Sequence, residues 1–456
     1  MEIEKVESVN KNLGGDMEKM KTKNKVIALV EIAVVLCSVF LVALPATVIA
    51  AEQNQTTQKV STSEVTTASE DDFVLGVYGN ANEDDTIDMR DLTYVKLIFF
   101  GKKPETELAD AKYDGKINPL DFIQIKLIIV GKEKEITIVD SADRIVTVKK
   151  PVKRIVVLNS DVAEAVRILD AVDKVVGVST SVFKKSYYFP EMGKRTSIDK
   201  WNNPDYEAII ELNPDIVIGY VKWPPITEVE EKLDPAGITA IALNFYKQDT
   251  LREEVEKLGY ILNKKERAER YNEWCSKYED EIKSLVDELK EEEKPRVFIE
   301  TTYKGPGDIG TRGPGSADDI LCTMAGGINI AGDLPKAYPH VEWEWVLKKN
   351  PDVIIKCPYP PGWGWNTTED PENEIEAIKE RPGAEGITAV KNNRIYVSTY
   401  EFRYGMDSIA GLAHWAKLLH PEFDLDPEGI YREYVEQILN LEYPEDLIFV
   451  YPPLAS

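Results

Sequence analysis

Histidine is scarce in this chain: His340, His414 and His420 are the only three in 456 residues. No His-Glu-x-x-His pair occurs, nor a Gly-x4-Gly-Lys-Ser/Thr phosphate loop, nor a Gly-x-Ser-x-Gly elbow. These absences set aside the zinc proteases, the P-loop NTPases and the serine hydrolases, whose chemistry requires those side chains at those spacings. Cysteine is nearly as sparse. Cys37, Cys275, Cys322 and Cys357 form no Cys-x-x-Cys pair, so neither a zinc knuckle nor a dense disulfide framework is expected. Positive charge is also in deficit: 55 Lys and Arg stand against 80 Asp and Glu, a net charge of −25. The chain lacks the basic stripe that displaces counterions from nucleic-acid phosphates, so no nucleic-acid partner is expected. Adsorption to an anionic lipid surface is disfavoured for the same reason. What remains is 43% hydrophobic and 30% charged, a globular mix with room for about three domains of roughly 150 residues.

One long apolar run is present. Lys19, Lys21, Lys23 and Lys25 precede Val26–Ala51, which is uncharged except for Glu31. A basic flank, an apolar core and small residues near Ala50 predict a signal peptide or an N-terminal membrane anchor over residues 1–51. Either way the following chain is extracytoplasmic, secreted or held at the membrane. Residues 52–72 are rich in Thr, Ser, Gln and Glu and read as a solvated linker. Asn54 and Asn366 begin short glycosylation-type triplets, a pattern frequent by chance.

Between Val74 and Gly131 a pattern occurs twice. Asn80, Asn82, Asp84, Thr86, Asp88 and Asp91 fall at positions 1, 3, 5, 7, 9 and 12 of an EF-hand-like loop. Oxygen side chains at alternate positions, closed by a carboxylate, suit a hard cation with about seven oxygen ligands. Asp110, Lys112, Asp114, Lys116, Asn118 and Asp121 repeat the pattern 30 residues on (121 − 91), with Ile87 and Ile117 in register. The stretch resembles a dockerin module, which implies Ca2+ and a cohesin-like partner. Lys112 places an ammonium where a ligand oxygen belongs and weakens the second site. Met89-Arg90 and Pro119-Leu120 depart from the Ser/Thr pair that many dockerins present to cohesin.

From Ile136 onward short apolar runs alternate with helical patterns, which predicts an α/β body. Thr250 and Glu253 have capping-box spacing and Asn263 suits a break. Tyr271, Trp274, Tyr278, Ile282, Leu285 and Leu289 then form one apolar stripe, predicting a helix of about 30 residues, roughly 45 Å long. Its aromatics are read as core. On either side stands the same unit. Tyr206-Glu207 leads to Asn213-Pro-Asp215 and a strand, and Trp343-Glu344 leads to Asn350-Pro-Asp352 and a strand. Each glutamate lies six residues before its Asn-Pro-Asp, so two pseudo-symmetric lobes are expected.

These units, with Arg154-Ile-Val-Val-Leu, Val175-Val-Gly-Val-Ser and Gly313-Pro-Gly-Ser through Met324-Ala-Gly-Gly-Ile-Asn-Ile, resemble the substrate-binding proteins of ABC importers for ferric siderophores, haem and cobalamin. The resemblance implies a fold class of α/β, two Rossmann-like lobes joined by a long rigid helix, preceded here by the small all-α duplicated module. The domain boundaries expected are 73–132 for the module and 136–456 for the binding body, with lobes at about 136–249 and 295–456 and the spine at about 250–294. It implies that Glu207 and Glu344 dock on an importer permease, which works with an ATPase. By motif position Trp201 and Tyr338 match cleft aromatics.

Trp363 and Trp365, in a Gly/Pro-rich loop, read as further binding aromatics. Tyr400 follows a strand end, as does Arg403, which could fix an anionic group, and His340 could ligate the metal of a haem or corrinoid. His414 and His420 read as structural. The function expected is capture of an iron(III) complex or a corrinoid without turnover. A chelatase would need a base, and His340 is the one candidate. A glycan-binding subunit assembled through the module is the alternative, with Trp363 as its platform.

Overall fold

The computed structural model describes residues 73–358, 362–399 and 403–454. The leader expected at 1–51, the linker at 52–72 and Tyr400 lie outside the described residues. Among the described residues no helix is long and apolar enough to cross a membrane.

The repeated stretch folds as two loop–helix units. Helix α1 (Met89–Phe99) starts at Asp88 and α2 (Pro119–Ile129) at Asn118, each through a capping box closed by Asp91 or Asp121. Burying Leu92, Val95 and Ile98 against Phe122, Ile125 and Ile128 gives the pair a shared apolar core. A hairpin follows, β1 (Glu135–Val139) with β2 (Ile145–Lys149). Val77 bridges to Ile138, so the repeated unit adds to this hairpin's edge. Asp140 accepts from Ala242 N at 3.0 Å, which fastens the hairpin to the first lobe.

In that lobe β3 (Ile155–Val157), β4 (Val175–Val178), β5 (Thr196–Ser197), β6 (Ile216–Gly219) and β7 (Thr239–Ala242) form one parallel sheet in the order β5-β4-β3-β6-β7. Continuous Ile/Val runs suit strands covered on both faces. The second lobe is mixed. Its strands are β8 (Arg296–Tyr303), β9 (Ile309–Thr311), β10 (Ile328–Asn329), β11 (His340–Val341), β12 (Val353–Lys356), β13 (Ile395–Ser398) and β14 (Val450–Tyr451). Their order is β11-β9-β8-β12-β13-β14, with β10 also on β8. The three central strands, β8, β12 and β13, run parallel.

The spine differs in detail from expectation. It is α5 (Leu251–Leu262) and α6 (Lys265–Asp287), separated at Asn263, whose φ of 56° is left-handed. The 23 residues of α6 span about 35 Å, shorter than expected. Thr250 makes no side-chain cap, because its own backbone is already near helical. Tyr271, Trp274, Tyr278 and Ile282 are buried as the stripe predicts, and α6 packs on helices of both lobes.

Candidate functional site

Parallel α/β sheets bind ligands at the carboxyl ends of their strands, where loops carry side chains over the sheet edge. In the first lobe β3 ends at Asn159, whose Oδ1 accepts from Val162 N at 3.0 Å and starts α3 (Ser160–Ile168). This sets Asp161 in the first turn, where the Tyr220 hydroxyl from the end of β6 donates to it. The Tyr220 ring makes edge contacts with Trp201 at 6.3 Å and Tyr246 at 5.0 Å. Burial, then the neighbouring Tyr338 phenol, raises the Tyr246 hydroxyl above its ordinary value. Tyr338 belongs to the second lobe, so the charge of one lobe's phenol is felt by the other's. Gly405 closes the floor: its φ is 85°, and a Cβ there would lie 3.7 Å from the Asp161 carboxyl carbon.

On the second lobe the Arg312 guanidinium lies 5.1 Å from the Tyr338 ring centre. Its Nε donates to Asp318 Oδ2 at 2.8 Å and to the Tyr404 hydroxyl at 3.2 Å. Asp318 also accepts from Arg403 Nη1 at 2.6 Å. Burial alone would raise this carboxyl, but Arg403 and Arg312 outweigh it and hold the group below the usual range. One side of Arg312 is thus fixed, and its outer edge with the Tyr338 face forms a cationic aromatic shelf. Such a surface suits a large planar or anionic ligand.

The two glutamates sit on matched helices, α4 (Tyr206–Leu212) and α7 (Trp343–Lys349), with Glu207 and Glu344 exposed in the first turns. Both helices end in left-handed asparagines, Asn213 at φ 44° and Asn350 at φ 45°. Behind each, an aspartate ties the turn to the sheet: Asp215 N donates to Arg154 O at 2.9 Å and Asp352 N to Arg296 O at 2.8 Å. Residues 155–400, more than half of the chain, match the family described as "Periplasmic binding protein". The chain belongs to the periplasmic binding protein family.

Among its relatives is an uncharacterized ABC transporter substrate-binding lipoprotein of Bacillus subtilis, YvrC, 26% identical over 63% of this chain and 86% of that protein. The molybdate-binding protein MolA of Haemophilus influenzae is 22% identical over 68% of this chain and 92% of its own length. A cobalamin-binding protein of Halobacterium salinarum is 26% identical over 47% of this chain and 57% of its own. The fold is shared with the TroA-like periplasmic binding protein FepB of Veillonella parvula, at a TM-score of 0.59 and 24% identity over 69% of this chain and 98% of that one. Each of these relatives is described as a binding protein, and the first as one of an ABC transporter.

Within this periplasmic binding protein several expected ligand residues stand elsewhere. Trp201 and Tyr338 join the interlobe group described above. Trp363 is not a loose platform: it is 7% exposed, stacks on Tyr187 at 5.4 Å and donates from Nε1 to the Tyr431 hydroxyl at 2.5 Å. Trp365 is buried, its backbone paired with Ile448. The reason is the C-terminal segment, which folds back as β14 and pins the Gly/Pro-rich loop. Arg403 is not on a cleft wall either; it is buried and held by Asp318. His340 sits on the edge strand β11, its Nδ1 engaged by Asp308 Oδ1. Tyr220, Tyr246, Arg312 and Tyr404 went unnoticed in the sequence. Tyr220 directly follows the end of β6 and Tyr246 lies in the loop after β7, which was the available signal.

The repeated loops fit a cation unequally. In the first, Asp91 accepts from Asn82 N at 3.2 Å and Asp88 N at 2.7 Å. Burial pushes its carboxyl up to about 6 despite those donors. Asn82 Oδ1 is buried without a hydrogen-bond partner among the described residues. Asp84 meets Arg90 Nη1 at 3.0 Å, so a guanidinium supplies part of the missing positive charge. The Asn80 amide instead donates to Leu75 O at 2.9 Å and Asp84 O at 2.6 Å. In the second loop Lys112 does not place its ammonium inside. It turns to Glu135 at 2.8 Å, and this loop position offers no side-chain oxygen. Asp110 is occupied by Asp114 N at 3.1 Å and Gly115 N at 2.7 Å. The first loop, with an orphaned oxygen and a buried carboxyl, has donors that suit a hard cation; the second fits poorly.

Proposed function

We propose that this protein is an extracytoplasmic receptor that captures a metal chelate or corrinoid between its lobes and delivers it to an ABC importer. The observation that carries delivery is the duplicated helix–Asn-Pro-Asp–strand unit, with Glu207 and Glu344 exposed at equivalent positions. Two acidic knobs so related suit two basic sockets on a pseudo-symmetric permease, whose steering effect is electrostatic. Capture rests on Trp201, Tyr220, Tyr246 and Tyr338 with Arg312. Relatives described as binding cobalamin and molybdate keep both a bulky corrinoid and an anionic ligand in view, and the aromatic lining favours the bulky one.

Tryptophan fluorescence of the full chain, titrated with ferric siderophores, haem, cobalamins and molybdate, tests capture. One chelate should quench saturably through Trp201. Quenching by none of them would remove the reading. For delivery, Glu207→Arg with Glu344→Arg should leave that affinity unchanged and lower importer-dependent uptake at least tenfold. Unchanged uptake would refute it.

For the repeated module we propose Ca2+ in the first loop, held by Asn82, Asp84, Thr86, Asp88 and Asp91, with Asn80 supporting the turn. Its role there is to offset the charge of buried carboxylates. The second-loop set of Asp110, Asp114, Lys116 (through its carbonyl), Asn118 and Asp121 would bind more weakly. A cohesin-like partner has no support from the relatives, and the glycan-binding alternative has lost its platform with the burial of Trp363.

A further inference from the structure

Glu256, on α5 in the seam between the repeated module and the spine, is 3% exposed. Its Oε2 accepts from Asn272 Nδ2 of α6 at 3.1 Å. Its Oε1 is buried with no hydrogen-bond partner among the described residues, and Asn272 Oδ1 is orphaned in the same way. A buried acceptor left bare is costly, and such a group points to a water or an ion that satisfies it. Both residues line a cavity of about 490 Å³. Asp85 and Thr86 of the first loop line it from the module. Glu269 and Glu273 line it from α6, on the helix face of Asn272.

The lining also holds two cations, each already engaged. Arg252 is bound to Ser276 and lies 3.7 Å from Glu279, and Lys277 donates to the Tyr278 hydroxyl at 2.8 Å. Burial, followed by the Glu269 charge, pushes the Glu256 carboxyl up to about 8, against the opposing pull of Lys265. Burial thus holds this carboxyl in its protonated form, with Oε1 still facing the cavity.

We propose that this cavity binds one hard divalent cation, with Glu256 Oε1 and Asn272 Oδ1 as protein ligands and Asp85, Glu269 and Glu273 as its charged surround. Among the described residues no three acidic, histidine or cysteine side chains close into a complete metal cage. The ion accordingly keeps several waters, as magnesium-sized cations do when one or two carboxylates hold them. Binding releases the Glu256 proton to solvent and ties α5 to α6 beside the module's first loop. None of the loop-site oxygens from Asn80 to Asp91 is a direct ligand, so this is a separate site.

Full-length protein titrated with Mn2+, with the free ion counted by its paramagnetic resonance signal, tests it. The wild type should bind one more ion than Glu256→Gln, because any loop sites are common to both and cancel. Glu269→Gln, at an exposed rim position, should weaken that ion about threefold, and Asn272→Ala about tenfold. Equal stoichiometry and affinity in the wild type and Glu256→Gln would overturn the proposal and assign the orphan oxygens to buried water. Should Glu256→Gln fail to fold, unchanged Mn2+ affinity in both other variants would overturn it equally.

Discussion

Glu300, fully buried in β8, shows how single charges are balanced in the second lobe. Lys356 Nζ lies 2.7 Å from its Oε1, and Arg381 reaches Oε2 at 2.6 Å and Oε1 at 2.8 Å. Burial would raise this carboxyl, but Arg381 and Lys356 prevail and lower it. Glu300→Gln keeps the shape but leaves Arg381 without its carboxylate and Lys356 with Glu374 alone, at 3.4 Å, a loss of about 3 kcal/mol. The sign with pH follows from the lowered folded value. The stabilisation is complete above the unfolded carboxyl value of about 4.3 and drains away as pH falls through the lower folded one. Urea unfolding from pH 7 down to pH 3 should therefore show the wild-type advantage shrinking only at the acid end; a constant gap would refute the assignment. At this scale the sequence was least legible. Glu207 and Glu344 stood out because a repeat marked them, whereas Arg312 and Arg403 are isolated arginines. Both pair with Asp318, and that Arg403 is fully buried while Arg312 reaches the Tyr338 ring depends on contacts as far as 85 residues away in sequence.

The elements were more legible, because periodicity and turn chemistry are local. Both Asn-Pro-Asp turns, the break at Asn263 and the loop–helix repeat form where side-chain type predicts. The long stripe gave helical character but not length, since what ends a helix is partly what it packs on. The two left-handed asparagines offer a comparison within one fold. Glycine adopts that conformation without strain, so Asn213→Gly should change stability by less than about 0.5 kcal/mol. Asn350 does more. Its Oδ1 accepts from Thr388 N at 2.9 Å and its Nδ2 donates to Thr388 Oγ1 at 3.0 Å. Asn350→Gly should therefore cost about 1–2 kcal/mol, read as a shift of denaturation midpoint at unchanged slope. Equal midpoints for the two variants would show that the Thr388 contact contributes nothing.

At the scale of the molecule, the sequence read two domains in succession, and the contact between them was invisible because no period encodes it. The apolar residues of the repeated module belong to the same buried cluster as those of the lobes and spine. Tyr260 of α5, 4% exposed, accepts from Ile87 N at 2.8 Å and meets Thr86 Oγ1 at 3.2 Å. Lys150 joins Glu133, Asn263 and the Tyr260 carbonyl close by. A first loop keyed to the spine in this way cannot loosen without exposing part of the body's core, so heat should unfold module and body together. Calorimetry of the full chain is expected to show one main transition. If the first loop holds calcium, an excess of a hundredfold over its dissociation constant adds about 2.7 kcal/mol to that whole transition. Tyr260→Phe leaves the Ile87 N–H buried and bare, at a cost of about 1–3 kcal/mol, and should narrow the calcium response of the body while sparing the loop's own oxygens. Two transitions, of which calcium moves only one, would show instead that the module and the receptor body melt as strangers despite their shared core.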